Sequence, residues 1–229
     1  MSYQPRITWS LVEPPPAVEA APDLLALAVA ALEAKVDSGL GRDAAKKARR
    51  RQLGVAHAYA RAVDWTAMEW FWIEGGLEWE RRHDKDAHTP SSGQRAGANI
   101  PAAVKRAVAA RDGYRCRYCQ LRVITSATLT KLERLLPAAL PLWPAEMGPA
   151  EVVSHASQSV MRLTWDHVRP RSLGGSNTEE NIVTSCGGCN YNKGSCTIEE
   201  LSLRDPFDRP PKPAGAWDGL DARLGSRAV

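Results

Sequence analysis

The chain has 229 residues, enough for one large domain or one and a half small ones and for at least one buried core. Hydrophobic residues make up 44% and charged residues 24%, which sets aside wholesale disorder, a collagen-like repeat and a low-complexity chain. Lys and Arg number 30 against 26 Asp and Glu, a formal charge of +4 that permits a nucleic-acid partner without demanding one.

No run approaches the roughly 18 apolar residues of a membrane span. The first ten residues lack the charged-then-apolar order of a secretion signal, so a cytoplasmic location is expected. In that reducing setting the five cysteines are not expected to form a disulfide framework.

Residues 1–22, punctuated by Pro14, Pro15, Pro16 and Pro22, read as an extended arm with Trp9 and Leu11 as anchors. A helical, Trp-rich region is expected over 23–83. Asp23 would cap its first helix, Leu25, Val29, Leu32 and Val36 would form the apolar face, and Gly39 would close it. A second helix is expected from Asp43 to Val63, basic in its first half and apolar at Leu53, Ala56, Ala60 and Val63. A third follows Asp64, where Thr66 and Glu69 have capping-box spacing. Five of the eight tryptophans lie before residue 80, in the core of a helical bundle or on a surface that binds a protein partner.

Residues 84–99 are polar and rich in Gly, Ser and charge, as a linker is. Pro101 then suits the first turn of a helix that ends at Asp112-Gly113. Two cysteine pairs follow, Cys116-Arg-Tyr-Cys119 and Cys186-Gly-Gly-Cys189. Each two-residue spacer lets both sulfurs face one ion, so the pairs together predict a tetrahedral structural Zn2+ site; Cys196 is left over as a bystander thiol.

Between the pairs, Met161 to Trp165 alternates as a strand does and leads into Asp166-His167, then Pro170 and Gly174-Gly175. Asn181, Asn190 and Lys193 come next. A carboxylate, an imidazole and an amide brought to one place suit metal-assisted phosphodiester cleavage, with oxygen ligands on a hard cation and a neutral His off the metal as base. Neighbours in a strand point to opposite faces, so Asp166 and His167 serve one pocket only if the strand end bends or His167 lies in the turn.

Asp112-Gly-Tyr-Arg-Cys116-x-x-Cys119, Asp166-His167-Val-x-Pro170-x-Ser-x-Gly174-Gly175, Asn181-Ile and Cys186-x-x-Cys189-Asn190-x-x-Lys193-Gly194 together resemble the HNH endonucleases. The resemblance implies an α+β chain, an N-terminal helical region plus a C-terminal zinc-stabilised ββα-metal HNH module at 100–204. It implies a DNA endonuclease in which His167 activates water, Asp166 and Asn190 hold a catalytic Mg2+ or Mn2+, and Asn181 ties the loop to the strand. Lys193, Arg169 and Arg171 are candidate nucleic-acid contacts, and the cut would leave 5′-phosphate and 3′-hydroxyl ends.

A defence, restriction or mobile-element system is the expected setting. The alternative is a non-catalytic, zinc-dependent nucleic-acid-binding or adaptor subunit of a larger complex, and RNA stays open as a substrate. The chain departs from the family in the 47 positions from Cys119 to Asp166, read as an insertion over about 125–159 with a helix at Leu129 to Leu136. Thr197 and Glu200 have capping-box spacing for a short helix, and 205–229 reads as a Pro-rich tail that packs Phe207 or Trp217 on the body.

Overall fold

The computed structural model describes residues 14–68, 71, 99–137, 160–211, 215 and 217–221. Helix α1 spans Pro16–Glu33 and buries Val18, Ala21, Pro22, Leu25, Ala28 and Val29, a stripe recurring every three or four residues. It starts seven residues before the expected cap at Asp23, so residues 16–22 are helix and not arm. Proline at the first helical position wastes no hydrogen bond, because that N–H has no intrahelical partner in any case. The helix ends at Glu33, well short of Gly39, whose N–H instead donates to the Asp37 carboxylate at 2.9 Å. Trp9 and Leu11 lie outside the described residues.

Helix α2, Arg42–Arg61, packs on α1 through Ala56 and Ala60, small side chains that permit close approach. Leu53, expected on that apolar face, is 40% exposed. The following turn is capped by Asp64, which accepts from the Ala67 N–H at 2.9 Å, so the cap sits two residues before the Thr66 of the expected box. Met68 and Phe71 from this stretch are buried; most of the Trp-rich segment and all of the 84–98 linker lie outside the described residues.

Helix α3, Ala102–Arg111, follows Pro101 and stops where Gly113 turns left-handed, φ 61°. Helix α4, Ser126–Leu135, is capped by Thr125, whose hydroxyl accepts from the Thr128 N–H. This helix opens the expected insertion, yet Leu129, Leu132 and Leu136 belong to the main core. Residues 138–159 lie outside the description.

Strand β1, Leu163–His167, pairs antiparallel with β2, Ile182–Cys186, in the register Leu163↔Cys186 through His167↔Ile182. A loop with a 3-10 turn at Arg171–Leu173 joins them, and β2 runs straight into helix α5, Gly187–Lys193. The result is a β-loop-β-α unit whose helix packs on both strands. The capping-box bonds between Thr197 and Glu200 both form, at 2.7 and 3.2 Å, around turns and not a helix.

The C-terminal stretch is part of the same body. Leu220 is buried, Trp217 donates its indole N–H to the Val123 carbonyl at 3.1 Å, and Thr125 donates to the Asp221 carboxylate at 2.9 Å. Trp217 is the packed aromatic; Phe207 remains 39% exposed under the Arg111 guanidinium. Arg122 reaches α1, with bonds of 2.5 and 2.6 Å to Asp23, and so ties the N-terminal helices to the first cysteine loop.

Candidate metal centre and active site

The four cysteines converge as their spacing requires. The sulfurs of Cys116, Cys119, Cys186 and Cys189 all lie within 4.8 Å of one another, and all four residues are buried. Cys116 and Cys189 approach to 3.3 Å, Cys119 and Cys186 to 3.9 Å. Four thiolates around a zinc-sized ion, each ~2.3 Å from it, would stand about 3.8 Å apart, so the cradle has the size the ion needs.

Local structure aims the sulfurs. Gln120 takes a left-handed backbone, φ 67°, and its N–H returns to the Cys116 carbonyl at 2.8 Å, closing the first loop. Cys186 caps α5, its sulfur accepting from the Cys189 N–H at 3.3 Å. Burial works against ionisation at Cys116, but hydrogen bonds from the other three cysteines together hold its thiol well below the ordinary value. Burial pushes Cys186 and Cys189 well up. Four thiols this close and this dry can all ionise only around a cation. Cys196 is also buried but stands outside the cluster.

Buried Asp112 registers the two halves of the cradle. Its carboxylate accepts from the Thr184 N–H at 2.7 Å and from the guanidinium groups of Arg111 and Arg117 at 2.8 and 3.1 Å. Arg117 also donates its backbone N–H to the Thr184 carbonyl and its guanidinium to the Pro206 carbonyl. Sequence reasoning gave Asp112 no role beyond ending a helix.

Asp166 and His167 are consecutive in β1, His167 closing the strand, and the Lys193 ammonium lies against both the Asp166 carboxylate and the His167 carbonyl. Asp166 is 4% exposed and accepts from the Tyr118 hydroxyl at 2.6 Å, while the Lys193 ammonium sits 3.3 and 3.5 Å from its two oxygens. Burial raises the Asp166 carboxyl, with Lys193 and Tyr118 opposing it. Tyr118, inside the first cysteine spacer, was missed; an aromatic hydroxyl between two metal ligands is the only sequence signal it gives.

His167 is half-buried, and its Nε2 lies 2.8 Å from the Asn177 side-chain oxygen. With Nε2 carrying the proton into that bond, Nδ1 keeps its lone pair. Burial lowers the imidazole's proton affinity and outweighs the upward pull of Asn177 and Asp166, which favours the neutral ring. Asn177 was also missed, although it lies in the polar run after Gly174-Gly175.

Asn181 holds the loop. Its side-chain oxygen accepts from the Arg169 N–H at 2.8 Å, and its amide donates to the carbonyls of Arg169 and Ser176 at 3.1 and 3.0 Å. The turn needs Gly174, at φ 80°, and Gly175, where any Cβ would run into the Arg169 carbonyl. Arg169 is exposed and donates to the Leu173 carbonyl at 2.9 Å; Arg171 is partly exposed.

Lys193 is turned inward. It is 3% exposed, and its ammonium donates to the His167 carbonyl at 2.8 Å as well as to Asp166, an arrangement different from an outward phosphate contact. Asn190, one turn earlier on the same face of α5, is half-buried, and its side chain makes no hydrogen bond among the described residues. A carboxylate and an amide oxygen are ligand types that suit a hard divalent ion, although here the Lys193 ammonium already neutralises the Asp166 carboxylate.

Strand, glycine turn, strand and cysteine-capped helix stand in the order the motifs require. Residues 153–195 match the family model of the HNH endonucleases. The chain carries an HNH endonuclease domain. The match takes in β1, the loop, β2 and α5, whereas Cys116 and Cys119, half of the metal cradle, come from upstream of it. No curated protein and no solved structure matches the chain. HNH nucleases act on nucleic acids and use divalent metals, so the match at 153–195 suggests nuclease activity in general terms. No helix among the described residues is long and apolar enough to cross a membrane.

Proposed function

We propose that the chain is a metal-dependent endonuclease that hydrolyses phosphodiester bonds in DNA, and that Zn2+ occupies the four-cysteine cradle as a structural ion. The observation that carries this reading is the setting of His167: half-buried, with burial lowering its proton affinity, and bonded to Asn177 so that one ring nitrogen is left for a proton. His167 would take the proton of the attacking water at Nδ1, where a base near pH 7 is most effective. Asp166 and Asn190 would hold Mg2+ or Mn2+, which when bound supplies positive charge for the leaving oxygen.

Asn181 would keep the loop that carries Pro170 and Gly175 in register with β1, so that Asn177 stays on the imidazole. Arg169 and Arg171, on that same loop, would face the phosphate backbone. A restriction, defence or mobile-element role would suit such an enzyme. The test is cleavage of duplex and single-stranded DNA and of RNA with magnesium or manganese, comparing the parent with His167→Ala at matched zinc content. We expect the variant to lose roughly 100-fold or more of the rate while keeping its zinc; a variant that cuts like the parent overturns the assignment.

A further inference from the structure

Helix α2 carries a surface that the HNH domain does not account for. Between Arg42 and Arg51 stand six basic residues, Arg42, Lys46, Lys47, Arg49, Arg50 and Arg51, against Asp43 alone. All six are exposed, and among the described residues none has an ion-pair partner. A merely solvated helix face intersperses the two signs; this one does not.

The arrangement works against the helix that bears it. Arg42, Lys46 and Arg50 follow one another at four-residue spacing, as do Lys47 and Arg51, so like charges face each other on adjacent turns. They also crowd the N-terminal half of α2, where the helix dipole is positive, and the end itself has no side-chain cap. The buried residues of α2, Ala56 and Ala60, both lie in the second half, and Gln52 donates to the Ala34 carbonyl at the end of α1 at 2.6 Å. Charge concentrated at a cost to the free helix is relieved when a polyanion lies along it.

We propose that the exposed face of α2 binds the phosphate backbone of duplex DNA, without reading sequence, as a second contact separate from the HNH centre. The basic stretch is about 13.5 Å long at 1.5 Å per residue, against which a duplex presents about one charge per 1.7 Å of axis. The charge and spacing stand on α2 alone; the choice of DNA among polyanions rests on the nuclease reading. Through α1 and the Asp23–Arg122 ion pair the helix belongs to the same body as the first cysteine loop, so DNA held there is held to the enzyme.

The experiment measures binding, without cleavage, in the full-length His167→Ala chain with its zinc retained. A mixed-sequence duplex is titrated across a salt series, with and without the added changes Lys46→Gln, Lys47→Gln and Arg50→Gln. The triple change should weaken binding on the order of tenfold and reduce the slope of log affinity against log salt by roughly 2.7, about 0.9 per phosphate contact. The same variant, free of DNA, should melt no lower than its parent, because the lost charges make no bonds in the fold. A control that removes equal charge at exposed Arg106, Arg134 and Arg204 should leave the slope near its original value.

An unchanged slope, or an equal drop in the control, overturns the proposal. So does loss of binding to phosphatidylserine vesicles with DNA affinity intact. A chain that binds through α2 yet never cuts overturns the nuclease reading alone, and one that cuts with an unchanged slope overturns this one alone.

Discussion

Lys193 is the residue on which most of the centre converges, because its one ammonium serves the Asp166 carboxylate and the His167 carbonyl together. Removing it would leave a carboxylate 4% exposed without its cation. Lys193→Met should therefore destabilise the protein by about 3–5 kcal/mol in denaturant titration. Magnesium or manganese should raise the melting temperature of that variant more than that of the parent, since the divalent ion replaces the missing charge. Equal shifts in the two proteins would show that Asp166 holds no metal. Asn181→Ala removes three hydrogen bonds from the loop and should cost about 1–3 kcal/mol. Cleavage should fall with zinc content unchanged, as metal analysis beside the rate assay would show.

The sequence signals that survived into the structure were the short-range ones. The two-residue spacers define the cysteine cradle, and the loop residues Asn181, Gly174 and Gly175 sit where their chemistry demands. What stayed hidden depends on distant chain: Tyr118 meets Asp166 from 48 residues away, and Asp112 meets Thr184 from 72. The inward turn of Lys193 was hidden for the same reason, since a lysine one turn past a candidate ligand reads equally as a phosphate contact.

At the scale of elements, α5 is shared between two centres: Cys186 and Cys189 at its start belong to the metal cradle, Asn190 and Lys193 to the HNH side. Stripping the cysteine-bound metal with a chelator should therefore abolish cleavage, and restoring magnesium alone should not recover it, whereas zinc followed by magnesium should. Circular dichroism on the same samples would follow the loss of helix. Element boundaries were less legible than element types. α1 begins at Pro16 because proline is harmless in a first turn, and α4, read as part of an insertion, supplies core leucines because its apolar side meets the C-terminal stretch at Leu220. No pattern local to 126–135 reports that meeting.

At the scale of the whole molecule, the N-terminal helices join the cysteine body through Arg122 and Asp23. The hydrogen bond from Arg122 holds the Asp23 carboxyl below its ordinary value of 3.8. That lowered value means the pair's contribution is fully present above pH 3.8 and is lost as pH falls through the depressed folded value. Acidification through that range should loosen α1, and Asp23→Asn should remove this part of the acid dependence, as hydrogen exchange at α1 amides would report. The effect should be small, because Asp23 is largely exposed and the pair is screened by solvent.

The seam around Asp112 bears on how such a chain matures. Cys119 and Cys186 are 67 positions apart, and closing a loop of that length is entropically costly if an ion must do it unaided. Here the Arg117 N–H to Thr184 carbonyl bond and the Asp112 clasp already fasten the two ends beside the sulfurs. These bonds would share with the ion the entropic cost of holding the two sulfur pairs side by side.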